Sequence, residues 1–285
     1  MANQGQSSPI ITSQPIIEKA SSAGITKSRL RFWPMLLLAI LAGMYIAFGG
    51  VFATVVATGA SGVWPYGVVK TLQGLVFSVG LILVVVGGAE LFTGNILMII
   101  PLLQKKITLA GMLRNWLVVY AGNFIGSILI AFLILLGKTY HFSGGEFGKT
   151  MLTIALNKSG FSFSQALSLG ILCNILVCLA VWLAYTGQNT SDKILAIVFP
   201  ITMFIAAGFE HSVANMYLVP AGLLLKVFDP AFISSLEVSL QNLTWGNFLL
   251  NNLLPVTIGN MIGGGLFVGT VYFLVHRVKP VNEDD

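Results

Sequence analysis

Charged residues are scarce in this 285-residue chain, at 9% of its positions against about 25% in soluble globular proteins. A water-soluble globule is excluded. With 56% hydrophobic residues and a mean hydropathy of +0.88, the chain reads as an integral membrane protein. Cysteine is nearly absent too. Cys173 and Cys178 lie in one apolar stretch, give no disulfide framework, and read as small hydrophobes on different faces of a helix. No polar tract is long enough for a soluble domain. No run alternates over ten residues as barrel strands do, so the class is all-α. The polar first thirty residues lack the short basic-then-apolar pattern of a cleavable signal, and the first hydrophobic segment is expected to stay as a span.

What is present is apolar length. Six runs are long enough to span a bilayer of about 30 Å: Pro34 to Thr58, Gly74 to Leu103, Gly111 to Gly137, Phe163 to Thr186, Ile194 to Lys226 and Phe248 to His276. Most of the glycines and prolines fall inside these runs, as suits close-packed membrane helices with deliberate breaks. The expected organisation is a cytoplasmic N-terminal segment (1–31), a six-helix domain embedded in the lipid bilayer (32–277) and a cytoplasmic tail (278–285). Both termini are expected in the cytoplasm, because Lys19, Lys27, Arg29, Arg31, Lys105, Lys106, Arg114, Lys193, Arg277 and Lys279 fall on one side. Only Lys70, Lys138, Lys149, Lys158 and Lys226 fall on the other. This distribution accounts for the basic isoelectric point without nucleic acid, which is not an expected partner. Ile16, Ile17, Ala20 and Ile25 among Glu18, Lys19 and Lys27 permit a short amphipathic helix on the cytoplasmic face.

The chain also repeats itself. Gly88-Ala89-Glu90-Leu91-Phe92-Thr93-Gly94-Asn95 and Gly208-Phe209-Glu210-His211-Ser212-Val213-Ala214-Asn215 share the pattern Gly-x-Glu-x-x-x-small-Asn. Asn115, Gly122, Asn123 and Gly126 recur as Asn252, Gly259, Asn260 and Gly263. Three spans separate each member from its partner, so the halves must insert in opposite orientations, a 3+3 inverted repeat. The second and fifth runs are overlong and carry these polar clusters inside them, which predicts interrupted helices. Glu90 and Glu210 are the acidic residues within apolar runs, and burying a carboxylate there costs on the order of 2.5 to 3.5 kcal/mol. Backbone N–H groups freed at Gly87-Gly88 and Gly208 are the expected partners of these carboxylates. Asn95, Asn215, Asn123 and Asn260 read as hydrogen-bonding glue between helices.

His211 breaks the symmetry, because its counterpart is Leu91. It lies beside a break at midspan depth, and an ionisable side chain there reads as functional. Asn174 is its expected polar neighbour. Intramembrane protease chemistry is excluded. The arrangements required by serine, zinc and aspartyl proteases are missing, and a two-histidine haem site fails because His141 lies in a loop and His276 at a span end. No cofactor and no metal are expected.

With these residues in view, the chain closely resembles the formate/nitrite transporter family of pentameric anion channels. Glu90-Leu91-Phe92-Thr93-Gly94-Asn95, Gly208-Phe209-Glu210-His211-Ser212-Val213-Ala214-Asn215-Met216 and Pro255-Val256-Thr257-Ile258-Gly259-Asn260 carry the resemblance, which runs from about residue 30 to 276. It implies an aquaporin-like fold with broken second and fifth helices and a separate pore in each protomer of a homopentamer. It places His211 at the pore centre with Thr93 and Asn174 beside it and Glu210 behind. It makes Leu81 and Leu91 the cytoplasmic constriction and Phe77 and Phe204 the periplasmic one, and Lys158 a vestibule residue that attracts anions. The implied activity is passage of small weak-acid anions across the inner membrane, formate first among them, with proton coupling at the central histidine. Nitrite and hydrosulfide members also carry Glu-Leu-Phe-Thr-Gly, so the substrate stays open among the three. A neutral-solute facilitator is the alternative from another class, although the Asn-Pro-Ala pair of aquaporins is missing.

Overall fold

The computed structural model describes residues 13–236 and 238–277. The first twelve residues and the expected tail at 278–285 lie outside the described residues. Ten helical segments carry the fold: α1 (Ser13–Ser28), α2 (Phe32–Ala57), α3 (Tyr66–Gly87), α4 (Phe92–Leu103), α5 (Leu109–Leu136), α6 (Glu146–Ser159), α7 (Phe163–Ala184), α8 (Thr190–Ala206), α9 (Ser212–Phe228) and α10 (Trp245–Arg277). Five of them, α2, α3, α5, α7 and α10, are long and apolar enough to cross a membrane. The chain is therefore an all-helical, multi-pass membrane protein.

Backbone chemistry sets the boundaries. Thr108 and Ser162 cap α5 and α7 by accepting the N–H groups of Gly111 and Gln165, which satisfies donors a helix start leaves orphaned. Asn189 and Asp192 form a reciprocal capping box at the start of α8. Helix α3 stops where Gly88 turns left-handed at φ +71°, and Gly208 does the same after α8 at φ +73°, a conformation that costs glycine least. An extended stretch follows each, and α4 and α9 then begin at Phe92 and Ser212.

Small residues let the long helices touch backbone to backbone. A Cβ at Gly126 would collide with the carbonyl of Ile40 in α2, and one at Gly263 with that of Ile171 in α7. These contacts replace the hydrophobic drive that lipid does not supply between helices. The same pairing of α5 on α2 and α10 on α7 puts Asn123 and Asn260 beside the two interruptions.

Helix α1 lies in the N-terminal segment and packs on the helices that follow. Ile16, Ile17, Ala20 and Gly24 are buried against the protein itself, with Gly24 packed on Pro101. Ser21 bonds Gln104 at 2.6 Å, and Lys19 donates to the carbonyl of Tyr185 at 2.8 Å. Helix α6, between the third and fourth apolar runs, buries Phe147, Met151, Leu152 and Ala155 along one face, at the i, i+4, i+5, i+8 spacing of an amphipathic helix.

Candidate functional site

The two interruptions bring their glutamates into matching nests. Glu90 is 5% exposed and Glu210 2%. Lys27 Nζ, from the last turn of α1, lies 2.6 Å from Glu90 Oε1, and Lys158 Nζ, from the last turn of α6, lies 2.6 Å from Glu210 Oε1. The second oxygen of each carboxylate accepts from Asn95 or Asn215 at 2.7 Å. Each of these amides also donates to the side chain of Asn115 or Asn252, at 2.9 and 2.8 Å. A buried carboxylate is tolerable when it is paired and its remaining lone pairs are filled. The expectation that freed backbone N–H groups would serve these carboxylates is therefore corrected: cations and amides do so, because α1 and α6 deliver a lysine to each.

The freed N–H groups are met separately. Those of Glu90 and Glu210 donate to the carbonyls of Leu38 and Leu169 at 3.2 Å. Those of Phe92 and Ser212 donate to the amide oxygens of Asn123 and Asn260 at 2.9 Å. The same asparagines use their amide nitrogens on the carbonyls of Glu90 and Glu210. Every exposed backbone group of the two breaks that these asparagines reach is thereby satisfied inside the protein, as a low-dielectric setting requires.

His211 and Thr93 bridge the two nests. His211 is 2% exposed and caps α9 with its own ring, Nδ1 accepting the N–H of Ala214 at 3.0 Å. Its Nε2 lies 2.8 Å from Thr93 Oγ1, at the start of α4. Because Nδ1 accepts, the neutral ring carries its proton on Nε2 and donates it to the threonine oxygen. The hydroxyl hydrogen of Thr93 is then available to another acceptor. Asn174 joins from α7, donating to the carbonyls of Thr93 at 3.2 Å and Asn260 at 2.7 Å. Its Oδ1 is buried with no partner among the described residues.

Two cavities approach this centre from opposite faces. One, of about 240 Å³, is lined by Leu81 and Leu91 together with Lys27, Asn95, Tyr185 and Lys193. The other, of about 230 Å³, is lined by Phe77, Phe204 and His211 together with Lys70, Lys158 and Glu210. Phe77 and Phe204 meet edge to face at 5.7 Å, and Phe204 lies 5.9 Å from the His211 ring. The structure thus gathers Thr93, Asn174 and His211 at the centre, with Glu210 held in its nest by Lys158 and Asn215, the leucine pair towards one cavity and the phenylalanine pair towards the other. Lys158 lines the second cavity with its charge held by Glu210. Glu90, Asn95 and Asn215 sit in the nests rather than at the contact. Sequence reasoning missed Lys27 as a member of the site. In the sequence it reads as a flanking charge and as part of the N-terminal amphipathic stretch, since the fold of α1 onto Glu90 leaves no local signal.

The formate/nitrite transporter family model matches residues 14–274. This chain belongs to the formate/nitrite transporter family. It is similar to the formate channel FocA of Escherichia coli strain K12, with 41% identity over 261 residues covering 90% of this chain and 91% of that one. FocA of Haemophilus influenzae is 39% identical over 94% of this chain and 95% of its own. A solved pentameric formate channel with formate bound superimposes with a TM-score of 0.81 at 43% identity, covering 87% of this chain and 98% of its own. The family is one of channels and transporters rather than enzymes.

Proposed function

We propose that this protein is a channel for small monovalent anions of weak acids, with formate as its principal substrate and nitrite and hydrosulfide as further candidates. The single observation that carries this reading is the His211–Thr93 contact, seated between two cavities that open towards opposite faces. The similarity to FocA and to the formate-bound pentamer supports the substrate and a homopentameric assembly. The matching nests support a 3+3 inverted repeat of six spans in which α3 with α4, and α8 with α9, are each one broken span. The charge distribution supports an orientation with both termini cytoplasmic, and the family resemblance supports placement in the inner membrane.

An anion passing the Leu81–Leu91 and Phe77–Phe204 side chains must shed water, at a cost of several kcal/mol even after relaxation. Neutralisation is cheaper, since protonating an acid of pKa about 4 at pH 7 costs roughly 4 kcal/mol. Helices α4 and α9 both start at the centre, and their N-terminal ends favour negative charge there. The Thr93 hydroxyl supplies the first hydrogen bond to the arriving anion. At rest the neutral ring is engaged on both sides, Nδ1 accepting the N–H of Ala214 and Nε2–H facing Thr93. With the anion beside it, the ring takes a proton from a water on the entry side, where the hydroxide stays. It then gives that proton to the anion, which leaves as the neutral acid while the ring returns to its resting form.

Reconstituted proteoliposomes offering formate, nitrite, hydrosulfide or glycerol at pH 5.5 and 7.5 test the reading. Weak-acid uptake that rises as pH falls, with glycerol excluded, supports it. Glycerol flux above that of all three acids overturns it in favour of a neutral-solute facilitator.

A further inference from the structure

We infer that Lys70 is the anion-capture residue of the Lys158-side entrance, with Asn157 as its second hydrogen-bond donor; this rests on the anion-channel reading above. Charge bookkeeping around that entrance points to it. Beyond the inner cavity lies a wider outer one of about 680 Å³, lined by Gly62, Tyr66, Lys149 and Glu146 among others. Lys70 and Asn157 line both cavities, so they stand at the passage from one to the other.

The other cations of this entrance are already engaged. Lys158 is bound to Glu210 at 2.6 Å, and Lys149 to Glu146 at 3.3 Å. Among the described residues, Lys70 has no carboxylate partner, and its ammonium sits 5.8 Å from the centre of the Tyr66 ring. An aromatic face weakens an ammonium's attraction for anions far less than a carboxylate would, because it carries a quadrupole and no net charge. Asn157 is an exposed side chain on α6 whose amide can donate to the same anion.

A single uncompensated cation at a narrowing, between low-dielectric walls, raises the local anion concentration and the rate of entry. It does so without binding tightly, since the ammonium stays partly hydrated. Lys158 is left to hold Glu210 in its nest. The two lysines of this face therefore divide the work, Lys70 capturing and Lys158 bracing.

The test is initial uptake in proteoliposomes by wild type, Lys70→Gln and Lys70→Arg, at low and high ionic strength and over a range of anion concentrations. Formate is the first probe, with nitrite and hydrosulfide in parallel. Lys70→Gln is expected to reduce uptake at sub-saturating anion by about 3- to 10-fold at low salt, with the deficit closing at about 1 M salt, where the screening length is about 3 Å. Saturating uptake stays at the wild-type level, and Lys70→Arg restores the low-salt rate. A merely structural lysine would lower saturating uptake and show no salt dependence. Lys70→Gln uptake equal to wild type at both ionic strengths, or a deficit independent of salt, overturns this inference alone. A wild type that carries none of the three anions overturns the channel reading, and this inference with it.

Discussion

Thr93 and His211 meet at 2.8 Å although each opens a different helix, α4 and α9, in opposite halves of the chain. The contact joins two otherwise matching nests at the position where the halves differ, since Leu91 stands where His211 would have its counterpart. Leu91 starts α4 with no side-chain cap, whereas His211 caps α9 with its ring. The asymmetry is therefore chemical and local. It leaves one ring nitrogen committed to the backbone and the other turned to the threonine.

Thr93→Val keeps the shape and removes the hydroxyl, which leaves the Nε2–H of His211 buried without its acceptor. An unsatisfied buried donor costs about 1–3 kcal/mol, and the substrate loses its first hydrogen bond. Formate uptake in proteoliposomes is expected to fall at least about 10-fold, while Thr93→Ser keeps most of it. Equal uptake by the valine variant would remove Thr93 from the path.

The lysine–glutamate pairs predict strong coupling. Lys27→Met leaves the Glu90 carboxylate buried without its cation, and breaking a buried pair in this way costs about 3–5 kcal/mol; the Lys27 side chain is 24% exposed, so the lower end is expected. Lys27→Met/Glu90→Gln recovers most of the loss. Thermal unfolding in detergent across the full double-mutant cycle measures this, and the same cycle at Lys158 and Glu210 should give the same pattern. Additive effects in both cycles would contradict the assignment.

Helix contact predicts opposite outcomes for two glycines of one helix. At Gly263 a Cβ meets the Ile171 carbonyl, whereas at Gly265 it meets only Ile96 Cγ2 at an ordinary 3.5 Å. Gly263→Ala is expected to destabilise by about 1–3 kcal/mol, as overpacking does, and Gly265→Ala to stay within about 0.5 kcal/mol. The shift in detergent unfolding temperature separates them.

Outside the bilayer, Asp229 caps a single turn at Pro230–Ser234 by accepting the N–H of Phe232, and it takes the Tyr140 hydroxyl at 3.0 Å. The Phe232 N–H, with help from Tyr140, His141 and Lys138, holds its carboxyl below the ordinary value. A depressed carboxylate stabilises the fold above its unfolded pKa of about 3.9 and loses that contribution as pH falls through the lower folded value. The Tyr140–Phe232 packing is therefore expected to be constant from pH 5 to 8 and to loosen only below about pH 4. Asp229→Asn should loosen it at every pH, as read by hydrogen exchange at the Phe232 amide.

Much of this was legible in the residues. Composition and run length gave the helical membrane class. The recurrence of Gly-x-Glu-x-x-x-small-Asn marks Gly88 and Gly208, where the chain turns left-handed after α3 and α8, since a glycine able to turn left-handed and a carboxylate inside an apolar run each leave a local mark. The partners of Glu90 and Glu210 were not legible. Lys27 and Lys158 reach them from α1 and α6, far away in sequence, and a lysine near a span end looks the same whether it faces water or a carboxylate. Helix α6 was legible in principle from Phe147, Met151, Leu152 and Ala155, but its few apolar residues are faint beside the neighbouring long runs.

Passage of a weak-acid anion in neutralised form at His211 is tested by recording formate uptake and lumenal pH together in proteoliposomes of wild type and His211→Asn. Asparagine keeps an oxygen to cap α9 but neither reaches Thr93 nor titrates. One proton is expected to enter with each formate in the wild type, and that match is lost in the variant. Identical proton coupling in the two, or wild-type formate entry without a proton, would contradict neutralised passage at His211.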